Sequence, residues 1–552
     1  MHQGTMLNTY PDSLGDNLSQ MIEFLSMPIM QDAFQSIYLL PSVFNSDIDR
    51  GYSIISYDLA QSRAREEDFE KLKAMGYDMT FDFILNHLSV LSPEFRDILE
   101  KGDDSSYRDF FIDWNKFWQG HGQMDEDGVI IPYADQYLDV SKRKGDLPLL
   151  MVRFPDGREV PYWNTFFQKV NYQKLDQFDL LATVDGQYDQ ACSLAQHIND
   201  SLEQGLLPKE IDWTGYEAYA REARDLLESR RRYLGQMDVN LKSPMVWEWF
   251  DKVMKKLSRL GASLIRLDAV FCLLKEPGKL YTASSPEAWE LLDRIGQMAK
   301  AYGMDIIPEH HTAYKTGAHL LQWKMGYSSY DYFLPLLLID ATEYGESCWI
   351  YRWAKEQIDA NIRSINMLGC HDGIPLRDPR GALPDERVDQ LESIMVERGG
   401  RRKCVLHNDD QSEAYQMDIA YYSALNCDDR RLLLARAVQM FMPGKPQVWY
   451  QDLLAGENDL QVFQLHPDAD NREINRHNYS LDEIRENLKR PVVKEQIRLM
   501  QLRNTHPAFC DQARISVQQP DAQTLLLSWE HQGQWIRLQA DFKKLEYEIE
   551  MA

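Results

Sequence analysis

Seven cysteines in 552 residues, Cys192, Cys272, Cys348, Cys370, Cys404, Cys427 and Cys510, are odd in number and scattered, with no Cys-x-x-Cys pair. This spacing excludes a disulfide framework and a cysteine zinc cluster as organising features. A reducing, cytoplasmic setting is the expectation. Basic residues are in deficit: 60 Lys and Arg stand against 86 Asp and Glu, a formal charge of −26. Sequence-independent attraction to phosphates needs a net basic face, so neither nucleic acid nor an anionic membrane is expected as a partner. No stretch approaches ~18 continuous apolar residues, and Met1–Asp16 lacks the basic segment, apolar stretch and small-residue cleavage site of a secretory leader. Low-complexity tracts and internal repeats are also lacking. The 44% hydrophobic and 26% charged fractions are those of an ordinary globular chain. Its length suits several domains, or an α/β barrel with additions.

Apolar runs bounded by polar turns occur at Ser36–Leu40, Tyr77–Leu85, Ser263–Val270, Asp305–Pro308, Ile365–Leu368 and Pro446–Tyr450. Helical stripes lie between them, as in Glu66–Met75 with Phe69, Leu72 and Met75, and in Pro244–Leu260 with Trp247, Phe250, Val253, Met254 and Leu257. Strands alternating with helices predict a parallel sheet covered on both sides. Chemistry-capable residues recur where these strands end: Asn86–His87, Asp268, Glu309 and His371–Asp372. In a (β/α)8 barrel that is the face where active sites gather, so the fold class expected is α/β, a TIM barrel. The span from Asn86 to Ser263 is far longer than one barrel helix requires. It predicts an enlarged inserted domain after the third strand, at about 88–240, with an extra helical segment near 168–234. The barrel itself would then comprise 1–87 and 241–500, and the short β-like runs after Met500 predict a small C-terminal β-domain over 501–552. Arg230–Arg232 are expected to close an amphipathic helix as a solvated face favoured by the helix dipole.

Arg266 and Asp268, two positions apart on a strand, point to the same side, and a carboxylate held by an arginine stays ionised and oriented. That is the description of a nucleophile. Glu309, at another strand end, is expected to have a raised pKa suited to giving up a proton at neutral pH. Two such carboxyls on either side of a glycosidic bond carry out a retaining double displacement. His371-Asp372 and Asn86-His87 add groups for sugar hydroxyls, and a third carboxylate can stabilise positive charge at the anomeric carbon. No metal role is needed.

The ordered blocks Asp82-Phe-Ile-Leu-Asn86-His87, Gln236-Met-Asp238-Val-Asn240, Arg266-Leu-Asp268-Ala, Glu309 and His371-Asp372 resemble the signature regions of glycoside hydrolase family 13, the α-amylase clan. Asp49-Arg-Gly-Tyr52, Lys275-Glu-Pro-Gly278, His371-Asp-Gly-Ile374, Leu454-Ala-Gly-Glu-Asn-Asp459 and Arg472-Glu-Ile-Asn-Arg476-His477 further resemble the sucrose phosphorylase subfamily. The resemblance implies a reversible, retaining glucosyl phosphorylase, with Asp268 as nucleophile, Glu309 as general acid/base and Asp372 as transition-state stabiliser. It implies glucosyl binding by Asp49, Tyr52, His87, Gln236, Arg266, His311, His371 and Arg476. Tyr52 stands where sucrose phosphorylases usually carry phenylalanine. No cofactor is implied beyond inorganic phosphate as co-substrate, and relatives of this kind are commonly homodimers.

Sucrose is the default donor, with sucrose 6′-phosphate, glucosylglycerol and glucosylglycerate as alternatives. Arg143 and Lys144 stand near where relatives place an arginine-bearing loop at the acceptor and phosphate site. The loop after His371-Asp-Gly-Ile374 departs from the sucrose phosphorylase pattern, and its Arg377, Asp378 and Arg380 suit either an anionic acceptor or surface ion pairs. Two competing readings remain: a hydrolase or transglucosidase using the same carboxylates, and a catalytically silent sugar-binding protein on the same barrel.

Overall fold

The computed structural model describes residues 4–136, 147–281, 285–362, 364–406 and 412–552. At its centre lie eight parallel strands: β1 (Met6–Thr9), β2 (Ser36–Leu39), β3 (Asp78–Ile84), β4 (Ala262–Asp268), β5 (Asp305–Pro308), β6 (Tyr330–Asp331), β7 (Ile365–Met367) and β8 (Lys445–Trp449). They lie side by side in the order 5-4-3-2-1-8-7-6. The first strand adjoins the last, and the two strands at the ends of that order are consecutive in the chain, which is the arrangement of a (β/α)8 barrel. Helices follow the strands throughout, among them Glu66–Ala74, Pro244–Arg259, Pro286–Ala301 and Pro491–Thr505. Three of these four begin with proline, whose missing N–H costs nothing in a first turn. Glu66–Ala74 instead places Glu66, Glu67 and Asp68 in its first turn and Lys71 and Lys73 in its last, as the helix dipole favours.

β1 and β6 are not among the runs read from the sequence. At four and two residues they are too short to display a period, and burial in the barrel wall makes them strands. In β4 the two-residue alternation separates Ile265 and Leu267 from Arg266 and Asp268. The registers Arg266↔Asp82 on β3 and Arg266↔Ile307 on β5 carry the arginine to the middle of three adjacent strands.

After β3 the chain leaves the barrel. Strand His87–Ser89 pairs antiparallel with Arg231–Asp238, which pairs in turn with Gln168–Tyr172. This sheet returns Gln236 to the side of the His87 strand, although 149 positions part Gln236 from His87 in the chain (236 − 87 = 149). Helices Tyr188–Glu203 and Ala220–Ser229 lie within the segment expected to be helical and close a hydrophobic core of their own around Leu194, Ile198, Trp213 and Leu227. Arg230–Arg232 differ from expectation: the helix ends at Ser229, and Arg231 opens a β-strand. Arg230 pairs with Asp179 at 2.5 Å and Arg231 with Glu159 at 2.9 Å and Glu228 at 2.5 Å, while Arg232 donates to the Gln173 side-chain oxygen at 3.2 Å. The strand partner at Gln168–Tyr172 fixes this local structure, and helical periodicity carries no information about it.

A small sheet of Ile374–Pro375, Arg401–Leu406 and Ser412–Asp418 rises from the connection between β7 and β8. Beyond Pro491–Thr505, four antiparallel strands from Arg514 to Met551 lie against helix Asp429–Phe441, where the Trp529 indole donates to the Phe441 carbonyl at 2.7 Å. Among the described residues, no helix is long and apolar enough to cross a membrane.

Candidate active site

A cavity of about 310 Å³ opens at the C-terminal ends of the barrel strands. Asp268, Glu309, His371 and Asp372 line it, as do Asp49, Tyr52, His87, Gln236, His311 and Arg377. At its floor the buried Arg266 reaches three carboxylates: Nη1 lies 2.5 Å from Asp82 and 3.1 Å from Asp268, and Nη2 lies 2.7 Å from Glu309. The same-side pairing of Arg266 and Asp268 follows from the strand period. The contact with Glu309 follows from β4 lying beside β5. Arg266 does not line the cavity and acts from beneath it.

One guanidinium against three buried carboxylates leaves an excess of negative charge, and the excess is shared unevenly. Burial, and then the charge of Glu309, push Asp268 well above the usual carboxylate range. Burial also pushes Glu309 upward, but Arg266 and then His311 outweigh it and hold Glu309 well below that range. Its second oxygen accepts from the Ala269 N–H at 3.0 Å, which adds to the stabilisation of its charged form. This order is the reverse of the expected one. The cause is geometric: the arginine nitrogen nearest Asp268 is shared with Asp82, whereas the other sits on Glu309. The two carboxyls titrate as a pair around one cation.

Asp372 is held in its charged form, well below the usual range: burial opposes this, but the cations Arg472 and Lys403 outweigh it. Arg472 bridges Asp372 at 3.1 Å and Asp49 at 2.6 Å. Asp49 sits in a left-handed turn, with φ of 53°, 46° and 109° at Asp49, Arg50 and Gly51. Gly51 is obligatory there, since a Cβ would fall 2.1 Å from the Ser42 backbone nitrogen. Tyr52 stacks on His371 with ring centroids 5.0 Å apart, and its hydroxyl meets Nε2 at 2.7 Å. Burial lowers His371 to about 3, so the ring is neutral. His87 Nε2 and the Gln236 amide both meet the Tyr52 carbonyl, at 2.8 and 3.2 Å, which ties the inserted domain to the aromatic wall.

Behind that wall, the Lys275 ammonium lies 2.8 Å from Asp238 and 3.0 Å from the Asn86 side-chain oxygen, and also contacts the Cys272 carbonyl. Thr165 donates to Asp238 through its backbone N–H at 2.8 Å and its hydroxyl at 2.7 Å. The lysine is thus an internal cation joining the end of β3, the insert and the loop after β4.

Several predicted residues lie elsewhere. Arg476 is buried below the site, donating to the His371 carbonyl at 2.9 Å and pairing with Glu473 at 3.1 Å. It supports the loop, and Arg472, four residues earlier in the same motif, lines the cavity. Asp378 is also buried, facing His311 Nδ1 at 3.3 Å. Arg380 forms ion pairs with Asp385 and Asp389 at the surface. Arg143 and Lys144 lie outside the described residues.

Sequence reading missed Arg472, Lys403, Phe166, Phe271, His310, Tyr415 and Gln416 in the lining. Arg472 was within a recognised motif, and the choice between its two arginines depended on which turned inward. Lys403 is the third of three consecutive basic residues on a strand, where alternation alone leaves its direction open. Among the described residues the ammonium of Lys403 and the guanidinium of Arg377 have no hydrogen-bonding or ion-pair partner, and both line the cavity on its β7–β8 side.

No protein-family model matches the chain. A sucrose 6F-phosphate phosphorylase of Ilumatobacter coccineus is 39% identical over 551 residues, covering 99% of this chain and 95% of the relative. A sucrose phosphorylase of Streptococcus mutans is 30% identical over 528 residues, covering 95% and 92%. The crystal structure of a sucrose 6F-phosphate phosphorylase from Thermoanaerobacter thermosaccharolyticum superposes with a TM-score of 0.79 at 28% identity, covering 100% of this chain and 96% of that one.

Proposed function

The chain belongs to the sucrose phosphorylase subfamily of glycoside hydrolase family 13, and from that premise we propose that it phosphorolyses an α-glucoside of fructose to α-glucose 1-phosphate with retention of configuration. The observation that carries the mechanism is the convergence of Asp268 and Glu309 on Arg266 at the floor of the cavity. Asp268 attacks the anomeric carbon as the glycosidic C–O bond breaks, and Glu309 gives its proton to the departing fructosyl oxygen. Asp372, kept ionised, faces the positive charge that develops on the ring. A phosphate oxygen then attacks the same carbon, Glu309 takes up a proton, and Asp268 leaves as a carboxylate.

The first step needs the proton on Glu309 and the charge on Asp268. Arg266 and His311 favour the charge on Glu309 while burial favours the proton on Asp268, so reaching the reactive complex includes the transfer of one proton within the pair. Asp49, Tyr52, His87, Gln236, His371 and Arg472 surround the ring as its hydroxyl partners and wall, while Arg266 holds Asp268 and Glu309 and Arg476 holds the His371 backbone.

For the released acceptor, fructose 6-phosphate is favoured over fructose. Among the described residues Lys403 and Arg377 are two unpartnered cations on the acceptor side of a chain whose net charge is −26, and a phosphate on the fructosyl unit gives them a counter-charge. Identity is also higher to the I. coccineus relative than to the S. mutans one. The test is product analysis with and without inorganic phosphate, offering sucrose, sucrose 6F-phosphate, glucosylglycerol and glucosylglycerate separately to the wild type and to Lys403→Ala. Phosphate-dependent glucose 1-phosphate from sucrose 6F-phosphate, with a preference over sucrose that falls at least about tenfold in the variant, is expected. Free glucose at a phosphate-independent rate would make the protein a hydrolase. An unchanged preference in the variant would remove Lys403 from the acceptor site.

A further inference from the structure

Asp378 departs from the role its sequence position suggested. It is 3% exposed and does not line the cavity. Its Oδ1 accepts from the Thr312 N–H at 2.9 Å and lies 3.3 Å from His311 Nδ1, while its own carbonyl accepts from the Tyr314 N–H at 2.9 Å. One residue of the loop after β7 therefore fixes the chain that leaves β5 just beyond Glu309. The other face of the imidazole is equally constrained. Nε2 lies 3.6 Å from Glu309 Oε1, and the ring stacks on Tyr332 with centroids 3.9 Å apart and planes at 27°.

A carboxylate on each ring nitrogen favours a proton on both, which makes the ring an imidazolium. We infer that Asp378 is a positioning residue which, acting through His311, maintains a fixed positive charge beside Glu309 for the anionic co-substrate that attacks there. Asp378 touches no reacting atom. The inference rests on the proposed role of Glu309. Charged and titratable neighbours of His311 come from three elements: Glu309 and His310 at the end of β5, Tyr332 after β6, and Asp378 in the loop after β7, whose Arg377 lines the same cavity. In agreement with the geometry, burial depresses His311 but Asp378 and then Glu309 outweigh it and raise it to about 10.

Asp378→Asn keeps an oxygen for the Thr312 N–H and removes the charge. In the variant, His311 should titrate near the ordinary imidazole value of about 6.5. The ratio of variant to wild-type kcat/KM for phosphate, in which phosphate's own ionisation cancels, should fall at least about tenfold between pH 6 and pH 8.5. The KM for the glucoside should stay within about twofold, since the glucosyl partners are untouched. A His311→Asn background should abolish the effect of Asp378→Asn.

Stability gives a second readout. A histidine whose folded pKa is raised stabilises the fold fully below its unfolded value of about 6.5 and loses that contribution as pH rises through its folded pKa, so the wild-type advantage over the variant should shrink toward pH 10. A pH-independent kinetic ratio, or a wild-type His311 resonance that titrates between pH 6 and 8 by NMR, overturns the inference. The NMR measurement does not require the variant to fold. Should Glu309→Gln turn over normally while Asp378→Asn still releases the His311 titration, the reading of Glu309 fails and the Asp378–His311 linkage stands.

Discussion

Replacing Arg266 by methionine removes the one cation on which Asp82, Asp268 and Glu309 converge at 2.5, 3.1 and 2.7 Å. The side chains are 3% exposed for the arginine and 0%, 12% and 16% for the three acids, so water cannot replace the lost charge. Removing one partner of a buried ion pair costs about 3–5 kcal/mol, chiefly through the charge left unpaired. Three carboxylates put this case at the upper end, and proton uptake sets the ceiling, since protonating an ordinary carboxyl at pH 7 costs about 4 kcal/mol.

With an unfolding entropy of about 2.1 cal/mol/K per residue, 552 residues give roughly 1.2 kcal/mol/K if the whole chain melts together. A loss at that ceiling of about 4 kcal/mol then lowers the transition by about 3 °C. The sign with pH is fixed. Glu309, held below its ordinary range in the folded wild type, contributes stability above the unfolded carboxyl pKa and loses it on acidification. The gap between wild type and variant is therefore full at neutral pH and narrows toward pH 4, where protonated carboxyls need no counter-ion. Thermal unfolding by circular dichroism across this range measures the gap, and a burst assay for the glucosyl-enzyme should show a loss of at least about 10³-fold, since Asp268 is left protonated. An unchanged melting temperature at pH 7, or turnover within tenfold of wild type, refutes the reasoning.

Two further perturbations test the frame around the site. In Gly369→Ala the new Cβ falls 2.5 Å from Oδ2 of the buried Asp452, so the loop carrying His371 and Asp372 must shift; steady-state kinetics should show kcat down about 10²-fold. Lys275→Met leaves the buried Asp238 without its ammonium at 2.8 Å, a loss of about 3–5 kcal/mol. Limited proteolysis should then cut faster within the insert than within the C-terminal sheet, and the KM for the glucoside should rise because His87 and Gln236 reach the cavity through that insert.

The strand ends and what they carry were legible in the order of residues alone. Apolar runs broken by polar turns located six of the eight barrel strands. A period of two put Arg266 and Asp268 on one side, and the same strand-end logic put Glu309, His371 and Asp372 at one mouth. These are short-range properties, dictated by backbone geometry over a few residues. Which side chains share a charge depends instead on long-range packing. Arg472 and Asp49 are paired at a separation of 423 residues, and Arg472 rather than Arg476 turns into the cavity. The residue type of Asp378 suited an acceptor contact equally well, until the fold buried it against His311. The electrostatic order of Asp268 and Glu309 was illegible for the same reason: electrostatic energy depends on distance and burial, and in this site the shared guanidinium favours the charge on Glu309 over that on Asp268.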